Sequence, residues 1–194
     1  MSVLPIHLYG QPVLRKKARM LKAVDDDIVR LAQDMLETMH NANGIGLAGN
    51  QVGVLHRVIV VDVADAEETQ ARPEDHPART PLILINPEIV RQEGTAVMEE
   101  GCLSIPEIRD EVERAESVTV RYTDLASETR EIEADGLLAR VLLHEIDHLN
   151  GVLFIDHIGG VKRKLLRGRL NKIQRGEVEI GYPLVADVPA QQDR

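Results

Sequence analysis

Residues 144–148 read HEIDH, two histidines four apart with a glutamate after the first. On a helix, positions i and i+4 lie about 40° apart around the axis and one turn apart along it, so both imidazoles can reach one ion. Glu145 projects from the same broad face, close enough to touch a water on that ion without being a ligand. Residues of these types at this spacing suit a metal centre that activates water. Two core histidines with ordinary hydrogen bonds would give the same five letters. Two nitrogens also leave a metal site incomplete, so the third ligand decides the chemistry.

One protease class extends the motif to His-Glu-x-x-His-x-x-Gly-x-x-His. Gly151 arrives on schedule, but Phe154 stands where the histidine belongs, and His157 comes three residues late. Glu177 and Glu179 are downstream carboxylates of the kind another protease class uses, yet they follow a basic segment with no supporting pattern. Cys102, the single cysteine, lies in EEGCLSIP, after the apolar TAVM and before a proline, as at the end of a strand. A thiolate with two imidazoles leaves a fourth position for water, the arrangement of a catalytic site and not of a closed structural one. A lone cysteine is also a common inert core residue, so Cys102 has to be weighed together with the helix.

GIGLAGNQ, residues 44–51, places glycines at 44, 46 and 49, where backbone can approach a ligand closely. It is no dinucleotide fingerprint, because no strand precedes it and no helix follows. Gln51 supplies a neutral donor for a carbonyl oxygen that turns into an oxyanion. A tight loop without chemistry would look the same.

The elements that position these residues can be read from periodicity. DGLLARVLLHEIDHLNG is a helix with Asp135 as its cap and Asn150-Gly151 as its stop. Its apolar face carries Leu137, Leu138, Val141, Leu142 and Leu149 beside the histidines and Glu145, with Arg140 and Asp147 on the opposite side. Burying a carboxylate and two imidazoles costs several kcal/mol unless they are satisfied, and a divalent cation satisfies them together. DDDIVRLAQDMLETMHNANG reads as a second helix, with Asp25 to Asp27 near its start, Ile28, Leu31, Met35 and Met39 on one side, and Gly44 beyond its end. RVIVVDV, PLILINPEIV, TAVMEE, SVTVRYTD and TREIEA read as strands, and ADAEETQARPEDHPART as a mobile surface loop. Strands and helices come in blocks, so the class is α+β.

The 194 residues, 43% of them apolar, fit one domain spanning 1–194. No apolar run is long enough to span a membrane, the start MSVLPIHLYG has no signal or transit pattern, and one cysteine cannot form an intrachain disulfide. These features imply a soluble cytoplasmic protein. A net charge of −9 argues against DNA as a partner. Residues 161–175, VKRKLLRGRLNKIQR, go the other way, with seven cations and no acid, and form the last helix. The tail over 183–194 is expected to fray.

GIGLAGNQ, EGCLS and HEIDH, in this order, resemble the three signature motifs of the peptide deformylases, which remove the N-formyl group from the initiator methionine of new proteins. The likeness extends through GQPVLRKKA, EIRDEVERAE, EADGLLARV and LNGVLFIDHI, covering most of the chain from about Leu8 to Lys172. It implies small antiparallel or mixed sheets packed around a central metal-binding helix, with a C-terminal helix. It implies that Cys102, His144 and His148 are metal ligands and Glu145 the general acid/base. Gln51 and the backbone N–H of Leu103 would hold the formyl oxygen, Gly46 would line the substrate groove, and Arg109 would lie near the bound peptide. Ile45, Val141 and Leu142, beside the motifs, are the expected lining of the methionine pocket. Fe²⁺ is the expected ion in the cell, with Zn²⁺, Ni²⁺ or Co²⁺ in purified protein. N-formylmethionyl nascent peptides are the expected partners, and the basic helix invites contact with the ribosome. Gly49-Asn50 before the glutamine and Leu143 before the first histidine depart from frequent family residues without altering a ligand or the base. The rival readings are a metallopeptidase of another His-Glu-x-x-His class, distinguished by new peptide fragments in place of formate, and an RNA-binding module with a structural ion.

Overall fold

The computed structural model describes residues 2–74 and 76–187. Along the chain the elements are β1 (Ile6–His7), α1 (Asp26–Asn41), β2 (Gly46–Ala48), β3 (Val58–Val61), α2 (Glu67–Gln70), β4 (Leu82–Glu93) and β5 (Ala96–Cys102). There follow β6 (Ile105–Arg114), β7 (Ser117–Thr123), β8 (Thr129–Asp135), α3 (Gly136–Leu149), α4 (Gly160–Gln174) and β9 (Leu184–Val185). The class is α+β. An antiparallel sheet runs in the order β2-β3-β4-β7-β8, β5 and β6 form a separate hairpin, and β1 pairs with β9 in parallel. Among the described residues no helix is long and apolar enough to cross a membrane.

β3 shows why the sheet sits where it does. Its four residues, Val-Ile-Val-Val, are all buried, which requires cover on both faces. Ile59 and Val61 pack with Leu84, Val120, Leu138 and Leu142, toward α3, while Val58 and Val60 pack with Met35, Met39 and Ile85, toward α1. Asp25 starts α1 by accepting a hydrogen bond from the Ile28 N–H at 3.0 Å, and Ile28, Ala32, Met35 and Met39 form its buried stripe. β4 carries Pro87 at a register shift between Ile85 and Glu88, the position where a strand tolerates a residue without an N–H. A third apolar cluster, with Ile105, Ile108 and Val112 against Phe154, Leu170 and Ile173, fastens α4 to the hairpin.

The structure corrects several expectations. Gly46–Ala48, read as part of a glycine-rich turn, is a strand paired with β3. β6 was not anticipated. Residues 64–80, expected to be a mobile loop, contain α2 and a 3-10 turn at Pro77–Arg79. Arg79 holds the two together by donating to the carbonyls of Gln70 (2.8 Å) and Arg72 (2.6 Å). Within the stretch expected to fray, Leu184 and Val185 pair with Ile6 and His7; 188–194 lie outside the described residues.

Candidate active site

α3 brings both histidines to the centre of the molecule. Asp135 occupies its N-cap position without a side-chain cap bond, because its carboxylate pairs with Arg72 at 2.6 Å. Gly151 follows the helix with φ +76°, and a Cβ there would lie 2.6 Å from the Arg15 carbonyl oxygen, so glycine is required. Every residue from Leu138 to Leu149 except Asp147 is buried. Arg140, expected on an outward face, is therefore inside at 4% exposure. The reason is that the β5–β6 hairpin covers the helix side turned away from the main sheet.

That hairpin delivers the third donor. A register shift at Gly101/Cys102 ends β5 and leaves Cys102 Sγ 3.2 Å from His148 Nε2. Donor atoms of Cys102, His144 and His148 all lie within 4.8 Å of one another. The two imidazoles meet edge to face with centroids 4.9 Å apart. Phe154 stacks on His144 at 6.1 Å. His157 is committed to Asp147 at 2.7 Å and Glu177 to Arg175 at 2.6 Å, so the structure gives the longer protease motifs no support.

The residues fit a single divalent ion. Ligand atoms around a four-coordinate ion with bonds near 2.0–2.3 Å stand about 3.3–3.8 Å apart, a spacing these donors reach with small adjustments. His144 Nδ1 is bonded to Glu100 Oε2 at 2.8 Å, which fixes the ring and turns Nε2 toward the thiol, as a liganding histidine requires. Electrostatics point the same way. Burial opposes a charge on His144, but hydrogen bonds to Cys102 and Glu100 outweigh it and push the ring up to about 10. Burial and the neighbouring His144 charge hold His148 well below the ordinary histidine value. The pocket thus draws one positive charge to the point where the thiol meets the rings, and a divalent ion can replace that proton.

Glu145 is 4% exposed, and its Oε2 has no hydrogen-bond partner among the described residues. Burial is the main cause that pushes its carboxyl up to about 7, suiting it to accept and return a proton near neutral pH. Gly46 permits this placement, since a Cβ there would sit 2.4 Å from Glu145 Oε1 and 2.7 Å from Val141 Cγ1. Gln51 is 1% exposed. Its Oε1 accepts the Ala48 N–H at 2.8 Å, so the amide nitrogen must face the other way, toward Ser104 Oγ at 3.2 Å and Cys102 Sγ at 3.5 Å.

These groups open on a cavity of about 490 Å³, within the usual range for a small-ligand site. Gly46, Leu103, Arg109 and Val141 line it, and Ile45 stands at 45% exposure on its wall. Leu142 does not line it. One residue along the helix from Val141, it points about 100° away and lies at 0% exposure in the core under β3. Sequence reasoning missed Leu137, Glu100, Arg140, Ile180 and Tyr182, all of which line the cavity. Tyr182 Oη donates to the Leu103 carbonyl at 2.8 Å, and burial followed by the Cys102 charge pushes its hydroxyl up to about 12. A period-two run, Val178, Ile180, Tyr182, Leu184, was the available signal for this wall.

Fold and cavity together describe an enclosed site with donors for one metal ion beside a buried carboxyl. Residues 3–164 match the sequence profile of the polypeptide deformylases. The chain is 50% identical over 182 residues to a peptide deformylase of Alkalilimnicola ehrlichii, covering 93% of this chain and 97% of the relative. It is 47% identical to that of Salinibacter ruber, covering 94% of each. The crystal structure of a peptide deformylase from Legionella pneumophila matches with a TM-score of 0.80 at 38% identity, over 91% of this chain and 98% of that one. That of Synechococcus elongatus in complex with actinonin matches at 0.73 and 41% identity, over 90% and 87%. The chain belongs to the polypeptide deformylase family, enzymes that hydrolyse the N-formyl group from an N-terminal formyl-methionine and release formate.

Proposed function

We propose that Cys102, His144 and His148 hold one divalent ion, that Glu145 is the general acid/base, and that Gln51 and the Leu103 N–H receive the formyl oxygen. The observation that carries this reading is the convergence of one sulfur and two ring nitrogens within 4.8 Å, beside a buried carboxyl. When bound, the ion supplies Lewis acidity and makes water a nucleophile at neutral pH. The family likeness favours Fe²⁺ in the cell, with Zn²⁺, Ni²⁺ or Co²⁺ in purified protein.

The chain's own residues do the rest. Glu145 takes a proton from the attacking water and returns it to the methionine nitrogen as the C–N bond breaks. Gln51 Nε2–H, aimed by the Ala48 contact, donates to the formyl oxygen as charge grows there; one such donor is worth about 3–4 kcal/mol. Ile45, Leu137 and Val141 give the methionine side chain an apolar wall. Gly46 lets the peptide lie close to Glu145. Arg109, with a side chain 71% exposed and 3.4 Å from Glu99, stands at the mouth, where it meets the chain beyond methionine.

The test is formate release from a formyl-Met peptide by anaerobically prepared protein with its metal content measured. Glu145→Gln should keep the metal and lose about 10²–10⁴-fold in turnover, whereas Cys102→Ala should empty or loosen the site. Near-normal turnover by the first variant rejects the base, and full occupancy in the second rejects the ligand set.

The enzyme works in the cytoplasm in this reading, on chains leaving the ribosome, with α4 as its point of contact. Lys164 and Arg167 are exposed on that helix with Val161 and Leu165, a surface suited to salt-sensitive phosphate contacts. Equal ribosome pelleting by the full chain and a Lys164→Glu/Arg167→Glu variant at low salt would eliminate the docking.

A further inference from the structure

The three proposed ligands come from two separate elements, Cys102 from the hairpin and both histidines from α3. Arg140 joins those elements. It lies one helical turn before His144, and its Nη1 donates to Glu100 Oε1 at 2.7 Å and to the Val112 carbonyl at 2.9 Å. Its Nη2 donates to the Ala96 carbonyl at 2.8 Å. A single side chain of α3 is thereby bonded to both strands of the hairpin and to the carboxylate that orients His144.

Glu100 is fully engaged. Its Oε1 also accepts from Arg114 Nε at 2.6 Å, and its Oε2 accepts from Arg114 Nη2 at 3.0 Å and contacts His144 Nδ1 at 2.8 Å. Arg114 continues to Asp147 on α3 at 2.7 Å. Glu100 therefore keeps a charge partner even without Arg140. What Arg140 adds is direction, since a planar fork with fixed donors fits its acceptors in one orientation only.

We propose that Arg140 is a positioning residue for the metal centre, setting the register between the strand that ends in Cys102 and the helix that carries His144 and His148. The inference deepens the ligand assignment above and rests on it. Without the fork, the hairpin keeps its apolar packing and the Arg114–Asp147 tie but loses the bonds that hold the backbones of both its strands to α3, so sulfur and nitrogens meet less often at one point. Partners that orient ligands in this way contribute about 10–100-fold to metal affinity.

The experiment titrates metal-free wild type, Arg140→Met and Arg140→Lys with Co²⁺ against a chelator. It follows the sulfur-to-cobalt absorption band, with circular dichroism to confirm folding. Arg140→Met should bind Co²⁺ about 10–100-fold more weakly, with a weakened band. Arg140→Lys, which keeps the charge but not the fork, should fall between it and wild type. If both variants bind with wild-type affinity and an unchanged band, even with a lowered unfolding temperature, the role is structural alone and the inference is overturned. If Arg140→Met does not fold, wild-type affinity in Arg140→Lys overturns it equally. The ligand assignment fails in a different way, by absence of the sulfur-to-cobalt band in wild type itself.

Discussion

Arginine and acid meet in two regions of this molecule under opposite conditions. Between α3 and the hairpin, Arg114 and Arg140 have side chains 6% and 4% exposed, and Glu100 between them 3%. On α4 and at its C-terminal cap, Lys162, Arg163 and Arg175 pair with Asp110, Asp156 and Glu177 while 57%, 49% and 45% exposed. Water stands ready to replace any partner lost from the helix surface, and none reaches the interior cluster easily. The same chemistry is therefore a fixed framework in one place and an exchangeable coat in the other.

The largest test of that contrast is Glu100→Gln. It leaves two buried guanidinium groups without their shared anion and should lower the unfolding free energy of the metal-free protein by about 3–5 kcal/mol in urea. A loss under about 1 kcal/mol would place the interior cluster on a par with a surface pair. The variant also has a pH signature. Burial would raise the Glu100 carboxyl, but hydrogen bonds from His144 and Arg114 and their charges prevail and hold it well below the usual carboxylate range. A depressed acid stabilises fully above its unfolded value, near 4.3, and loses that contribution as pH falls toward its native value. Wild type should therefore lose stability below about pH 4.3 more steeply than Glu100→Gln, and parallel profiles would contradict the pairing.

Asp147→Asn should cost less, about 1–2 kcal/mol. Its side chain is 23% exposed, so water offsets part of the lost contacts to Arg114 and His157. Urea denaturation in low salt measures it; an effect as large as that of Glu100→Gln would extend the rigid framework to the surface. Smallest is Lys162→Ala on α4, which should leave the urea midpoint unchanged within error at low and high salt. A midpoint shift matching that of Asp147→Asn would dissolve the distinction.

Cys102, His144, Glu145 and His148 were legible in the sequence because their types are scarce and helix geometry fixes the spacing of three of them. The start of α1 was legible in the run Asp25 to Asp27, and its stop before Gly44. Arg140 was not, because a helical wheel reveals one buried face, and α3 is enclosed on a second side by a hairpin far away in sequence. β6 was hidden for a related reason. Its inward positions alternate as Ile108, Asp110, Val112 and Arg114, and the charged members disguise the period. The pocket wall at Tyr182 escaped because β9 is two residues long and depends on a partner at the other end of the chain. Leu142 was misplaced by adjacency, since neighbours in a helix look in different directions.

The pairing of β1 with β9 also bears on the order in which the molecule can be completed. The Ile6 N–H bonds to the Pro183 carbonyl at 2.9 Å and the Leu8 N–H to that of Val185 at 2.9 Å. A chain is synthesised from its N-terminal side, and a domain folds as a unit. β1 therefore stays without its strand partner until residues 183–185 have been translated and released. Ile180 and Tyr182, which line the cavity, come just before that pairing, so this wall of the chamber is completed only when the segment that β1 waits for has been made.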